Sequence, residues 1–385
     1  MITKEKFKEL VYMMLEHNEF YDKLYDLGID AINCKYMETA GMMFDELMKS
    51  EFGEEGTDLI SWWMYEEVDH VLYEAYSENL RKAVSDVLGD DAHIDIATQF
   101  KANVSRFAAY KARHATAELA DLEPEEIDTK GKAVLNKYNR WQAMEYNTAV
   151  ARARTARQWE DFAADMVLYP NLRWLPSRSA TPREAHRVFW NRVWAKNDPF
   201  WNENTPGSLW NCKCDWEETD DPVTNGNPGG SVSARGLEGN PAKTGEIFTD
   251  DCPYVKNAGR EAEHQVLKTL WKSNYNWALE NIRGKSVKNK NVDEEITLSR
   301  RGIKEFLNQN HDEYIIKNEM IRSIRDILEN AEYMGETNYA GKVSKIFRTQ
   351  IKGKDNFIIV NRDIDNNLFL HSITESGKVL TGINK

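Results

Sequence analysis

The sequence predicts a multidomain chain: mainly α N-terminal and middle regions with a loop-rich Trp/Cys subdomain, and a small α+β C-terminal domain. Three observations predict it. The chain has 385 residues, more than one ordinary domain of 100–200 residues uses. Pro and Gly are nearly absent from about 80–168 and then crowd 221–245, so a helical stretch gives way to loop. Three runs with strand character, 343–351, 356–362 and 368–373, gather near the C-terminus, separated by the turn signals Lys352-Gly-Lys-Asp355 and Asp363-Ile-Asp-Asn-Asn367. The expected divisions are a helical region 1–80, a middle domain 81–255, a helical linker 256–293 and an α+β domain 294–385.

Each element has its own signal. Phe7, Leu10, Val11, Met14 and Leu15 follow the i, i+3, i+4, i+7, i+8 spacing of one buried helix face. A second apolar segment covers 32–48 and contains Cys34, which reads as a core thiol. Gly53-Glu-Glu-Gly56 is expected to break the pattern before Leu59-Ile-Ser-Trp-Trp-Met64. Phe100, Val104, Phe107 and Ala108 mark one face of a long helix, and the run from Ala149 to Ala156 is rich in strong helix formers. After Pro253 a helical pattern resumes with Val266, Leu267, Leu270 and Trp271. Residues 284–291 read as a solvated linker. Helices are expected over 299–310 and 314–330.

Composition excludes several classes. Four Cys (34, 212, 214 and 252) are too few for a disulfide scaffold. No apolar run approaches the ~18–20 residues of a membrane span, and the opening Met1-Ile-Thr-Lys-Glu-Lys-Phe-Lys-Glu has no apolar core of a secretory signal. The formal net charge of −13 argues against a whole-protein grip on nucleic acid, though it leaves room for a local basic site.

The middle of the chain carries the densest motifs. Seven of the twelve Trp lie between Trp159 and Trp216 (159, 174, 190, 194, 201, 210, 216). Stacking on bases would need surrounding positive charge, and Glu217-Glu-Thr-Asp-Asp221 stands beside them. Core packing and protein contact are therefore the expected roles. Cys212 and Cys214 are one residue apart. In an extended segment both point the same way, so both sulfurs can reach one Zn²⁺, with His186 and Cys252 completing a tetrahedral set. The alternative is reduced thiols packed among aromatics, with His186 bonded to a backbone carbonyl.

In order, the stretch reads Leu168-Tyr-Pro-Asn-Leu-Arg-Trp174, an Arg-x-x-His ending at His186, Pro199-Phe-Trp201, Pro206-x-x-x-Trp210 and Asn211-Cys-Lys-Cys214. It resembles the Mu protein F-like phage head morphogenesis family, the minor head proteins, over about 90–255. Two departures are visible: Arg187-Val-Phe-Trp190 follows the His where the family usually has Gly, and Lys213 stands where it often has Arg. The resemblance implies a virion protein in the capsid interior, present in the host cytoplasm during assembly, with the portal and other head proteins as partners and no membrane role.

Residues 294–385 resemble the phage-borne nuclease-like domains of the barnase–EndoU–colicin–RelE group. The features are Ile296-Thr-Leu-Ser-Arg-Arg-Gly-Ile303, Asn308-Gln-Asn-His311, a helix closing at Ala331-Glu-Tyr333 and a meander ending in His371-Ser-Ile-Thr374. The resemblance implies metal-independent, cofactor-free RNA cleavage, in which a 2′-hydroxyl attacks its neighbouring phosphate. Such chemistry needs an acid, a base and cations. His311 and His371 are the expected acid/base pair and Arg348 the phosphate clamp. Thr374 and Ser372 are expected positioning hydroxyls, and Lys345 and Lys352 add charge on a basic strand. Strand alternation places Arg348 and Lys352 on one face. Each also has a bland reading: a solvated helix end, a satisfied sheet histidine, and lysines guarding a strand edge. The expected function is a minor head protein with an RNase-like effector domain. The rival is a purely structural head protein whose last domain is an inert binding module. An ADP-ribosyltransferase would need a residue set of which only His371-Ser-Ile-Thr-Glu375 is present.

Overall fold

A computed structural model describes residues 54–89, 94–122, 130–163, 166–182, 184–339, 342–363 and 367–383. The helices expected before residue 50, and Cys34, lie outside them. The chain divides into two compact units, one of residues 1–76 with 111–143 and one of residues 77–110 with 144–385.

Helix α1 runs Glu54–Leu88 and α2 runs Ile94–Ala120. Of the expected break at Gly53–Gly56, Gly53 lies outside the described residues, while Gly56 is helical and α1 runs on past residue 80. A lone Gly weakens a helix by only about 1 kcal/mol, which a 35-residue helix absorbs. α3 (Lys132–Asn139) follows in the first unit. There Glu118 accepts hydrogen bonds from Lys137 Nζ at 2.6 Å and from the Tyr138 hydroxyl at 2.7 Å, tying α3 to α2.

In the second unit α4 spans Gln142–Ala163. Its buried face combines Ala149, Ala153 and Ala156 with the polar Thr148, Arg152 and Thr155. The alanines let the chain approach, and the polar residues hold two loops. Thr148 Oγ1 accepts from the Asn211 N–H at 2.9 Å, and Thr155 Oγ1 donates to the Pro206 carbonyl at 2.8 Å. The buried Arg152 guanidinium donates to the carbonyls of Leu237, Glu238, Gly239 and Glu246. Buried loop carbonyls need such donors. Gly207, at φ +90°, lies against α4, where a Cβ would meet Arg152 Cγ at 3.2 Å.

The loop-rich subdomain is built on a three-stranded antiparallel sheet of β1 (Asn171–Leu175), β2 (Val193–Ala195) and β3 (Asp215–Thr219), in the order β2-β1-β3. One-turn helices α5 (Phe200–Glu203) and α6 (Pro241–Thr244) punctuate the loops. The tryptophans form the core expected of them. Leu172, Trp174, Phe189, Trp194, Phe200, Trp201 and Trp216 are buried together. Trp194 stacks on Phe200 at 4.1 Å between centroids, and Trp174 lies parallel to Trp201 at 6.2 Å. Aromatic area substitutes here for regular structure.

α7 (Arg260–Asn281) leads into a six-stranded sheet. Its strands are β4 (Ser286–Lys288), β5 (Glu295–Thr297), β6 (Glu332–Tyr339), β7 (Lys342–Ile351), β8 (Lys354–Arg362) and β9 (Leu368–Thr374), in the order β4-β5-β9-β8-β7-β6. Among the described residues of this sheet, β5 and β9 pair in parallel and the other neighbours antiparallel. Helices α8 (Arg300–Asn308), α9 (Tyr314–Glu319) and α10 (Ile324–Asn330) connect β5 to β6.

Two expectations change here. Residues 284–291 are not a solvated linker, because they supply β4. Val287 and Val292 join the core of Ala278, Ile296, Phe306, Ile358 and Leu370, and buried Asn289 donates to the carbonyls of Leu328 and Ala331. The last helix ends at Asn330, and Glu332 and Tyr333 begin β6 opposite Arg348 and Phe347. The run Glu332-Tyr-Met-Gly-Glu-Thr-Asn-Tyr339 is polar and contains Gly335, so it lacks the apolar alternation of a strand until its partner is known.

Candidate metal centre

The histidine and the two closing cysteines of the middle motif meet in space. His186 sits in a two-turn 3₁₀ helix, Glu184–Phe189, with its ring against Trp174 at 5.0 Å. Cys212 and Cys214 lead into β3 through a turn in which Asn211 adopts φ +56°. Asn is among the few side chains that accept that conformation readily. The turn is pinned by Thr148 on Asn211 and by the Cys212 N–H donating to Leu209 O at 3.0 Å.

His186, Cys212 and Cys214 bring their ligand atoms within 4.8 Å of one another. Cys212 Sγ lies 3.4 Å from His186 Nδ1. Donors on a tetrahedral zinc at about 2.0–2.1 Å (N) and 2.3 Å (S) stand roughly 3.5 Å apart, so the spacing suits the ion. The other imidazole nitrogen, Nε2, is 3.2 Å from Ser208 Oγ, which fixes the ring and leaves Nδ1 to bind. The backbone N–H of Cys214 donates to Cys212 Sγ at 3.4 Å.

The environment favours one sulfur anion, at Cys212. The Cys214 thiol, donating to Cys212, holds the Cys212 thiol far below the ordinary range, with His186 adding to the effect. Cys214 is correspondingly pushed up, because its proton is shared with Cys212 and it is partly buried. The buried indole N–H groups of Trp174 and Trp190 complete no hydrogen bond, yet both act on Cys214 to favour its thiolate. Two buried donors without acceptors, placed at one sulfur, suit a site in which both cysteines are deprotonated by a cation.

Cys252 does not join them. Its N–H donates to Thr249 O, and its Cα packs where a Cβ on Gly236 would stand 3.0 Å away. Burial pushes its thiol up to about 12. The fourth ligand expected from the sequence is thus a neutral thiol in a separate turn. Sequence reasoning missed Ser208, the two indoles and Thr148. The spacing of Thr148, Arg152 and Thr155 along an alanine-rich helix was the available signal.

The C-terminal residues are arranged differently. The His311 side chain is enclosed: its Nδ1 accepts from the Glu313 N–H at 2.9 Å, while Nε2 faces Asn356 Oδ1 at 2.8 Å and Glu375 at 3.2 Å. His371 lies 2.6 Å from Glu305. It is the extra residue of a β-bulge, since Leu370 pairs with Val360 and Ser372 with Ile359. The two histidines therefore engage separate carboxylates. Arg348 pairs with Glu332 and, at 3.5 Å, with Asp355. Lys345 lies between Glu336 at 2.8 Å and Glu294 at 2.9 Å, and Lys352 binds Glu313 at 2.9 Å. Lys352 does not share a strand face with Arg348. With φ +52° it forms, with Gly353 at φ +68°, the two-residue β7–β8 turn, a hairpin geometry that needs positive φ at both positions. Thr374 Oγ1 accepts from the Ser376 N–H at 3.1 Å, and Ser372 is buried in β9.

Comparison with known proteins bears on this C-terminal region. Residues 265–368 match the family model of Large polyvalent protein-associated domain 3. No curated protein and no solved structure matches the chain. The matched segment opens within α7 and reaches the first residue of β9, so it includes β4 and β5 with the helices and the meander. It points to a phage-associated polyvalent protein of multidomain, mixed α and β structure. Among the described residues no helix is long and apolar enough to cross a membrane.

Proposed function

We propose that the chain is an assembly protein of a tailed phage or prophage. It acts as a minor head protein beside the portal, with its aromatic midsection stapled by one zinc ion on His186, Cys212 and Cys214. One observation carries this reading: the histidine and the first cysteine of the motif run that resembles the head morphogenesis family, 26 residues apart in sequence, converge with ligand atoms at metal spacing. A zinc ion would supply cross-linking energy to a subdomain held by short strands and loops. The phage association of the C-terminal segment agrees with it. Protein analysis of particles purified from the encoding phage is expected to find the chain in heads at a few copies. Its absence from heads and procapsids would overturn the assembly role.

A second reading, RNA cleavage by the C-terminal domain, draws support from His371. The side chain is about one-third exposed, stands on a bulge and is oriented by Glu305, as a general base requires. Against it, the cations that would bind phosphate are already matched with carboxylates. The full chain, incubated with total RNA in EDTA, decides. Cleavage abolished by His371→Ala supports the nuclease, and intact RNA leaves the domain a binding module.

A further inference from the structure

The proposed zinc has three protein ligands among the described residues. Two thiolates and one imidazole form the donor set of zinc sites that keep a position for an exchangeable ligand, whereas architectural zinc sites close all four positions with protein atoms. The residue best placed in sequence to close the set, Cys252, is held away from it. Its turn is fixed by Thr249 N–H donating to Gly236 O, by the Arg235 side chain on Asp251 O and by the close packing against Gly236.

Burial shows where a fourth ligand would enter. His186 and Cys212 form the floor and are enclosed, while Cys214 is only partly covered. Beside Cys214 stands Trp190, overlaid by the exposed Arg187 guanidinium at 4.9 Å, with Val188 also exposed on the same 3₁₀ turn. Arg187 shares its charge with Glu184 at 2.8 Å. The Cys214 edge thus has an exposed cation over its aromatic wall.

We propose that the metal held by His186, Cys212 and Cys214 has an open fourth position facing the Cys214 edge, which takes an exchangeable ligand: water at rest, and a small monodentate anion when one is supplied. The inference rests on the metal reading and extends it. A neutral centre, with the two thiolate charges balancing the divalent ion, accepts either kind of donor. Binding water there places a Lewis-acidic site at the surface of the module.

The test uses the full chain loaded with Co²⁺ in place of Zn²⁺, whose visible d–d bands report coordination, and azide as the probe. Titration with sodium azide is expected to shift the bands saturably and to add an azide-to-cobalt charge-transfer band. The response should be the same in Cys252→Ser and in Cys34→Ser, the latter lying outside the described residues. A cobalt-loaded protein whose spectrum azide leaves unchanged overturns the open position while the metal reading stands. So does a starting spectrum altered by either serine variant, because the protein itself then supplies the fourth ligand. Failure to take up one Co²⁺ per chain, with uptake no different in Cys214→Ser, overturns both.

Discussion

Gly302 stands where α8 meets the backbone of β9. A Cβ there would fall inside the van der Waals shell of the Leu370 carbonyl oxygen, an obstacle that no rotamer change relieves. Gly302→Ala is therefore expected to destabilise the C-terminal region by about 2–4 kcal/mol, as overpacking against fixed atoms does, read as a lower urea midpoint. Lys317 is a second residue with a measurable consequence. Its ammonium is fully buried and donates to Phe306 O at 2.7 Å and Leu307 O at 3.0 Å, capping the end of α8 beside the Phe306 and Tyr314 rings. Burial lowers its pKa to about 7 from 10.5. A lysine depressed in the folded state binds fewer protons there than in the unfolded chain between those two values. Its penalty is thus full below pH 7 and fades as pH rises toward 10.5. Stability should climb across that window by an amount on the order of a few kcal/mol. Lys317→Met should flatten the difference between urea midpoints at pH 7 and pH 9, and an unchanged slope would contradict the assignment.

At the scale of elements, the charges expected to hold phosphate instead hold the sheet. Lys345 on β7 and Arg362 on β8 alternate with Glu336 on β6 and Glu294 before β5, with contacts of 2.6–3.2 Å. The ring ties the β5 entry to the far side of the meander. It is partly exposed, so each link contributes little alone and the geometry matters more than the sum. This shows where the sequence stops being legible. The basic run 342–354 is visible as charge, but its partners Glu294, Glu332 and Glu336 lie on segments that carried no strand signal. β5 is three residues long and β6 is polar, and both exist because a neighbour pairs with them. The helices read more directly, since the 3.6-residue pattern of α7 and the Ser299 cap of α8, which accepts from Gly302 N–H at 3.0 Å, are local. In the middle region the same rule divides success from failure. Cys212, Cys214 and His186 were legible from residue type and spacing. Cys252 was misassigned because nothing local records that its turn packs on Gly236, and Ser208 was missed because a serine among many gives no signal.

For the whole molecule, the account joins long helices, an aromatic module with the proposed zinc site and a mixed sheet domain whose matched segment points to a phage-associated polyvalent protein. The module has a sound aromatic core but short strands, and the loops that carry His186 and the two cysteines meet at the His/Cys cluster. If zinc closes that cluster, the metal is part of the fold rather than an accessory, since binding energy at a structural zinc is folding energy. Elemental analysis of the full chain purified without chelator is the most direct test. The account predicts one zinc per chain, lost together with a large part of the thermal stability in Cys212→Ser/Cys214→Ser and retained in Cys252→Ser. Metal-free protein with the stability of the double variant, or zinc that survives removal of both cysteines, would contradict it.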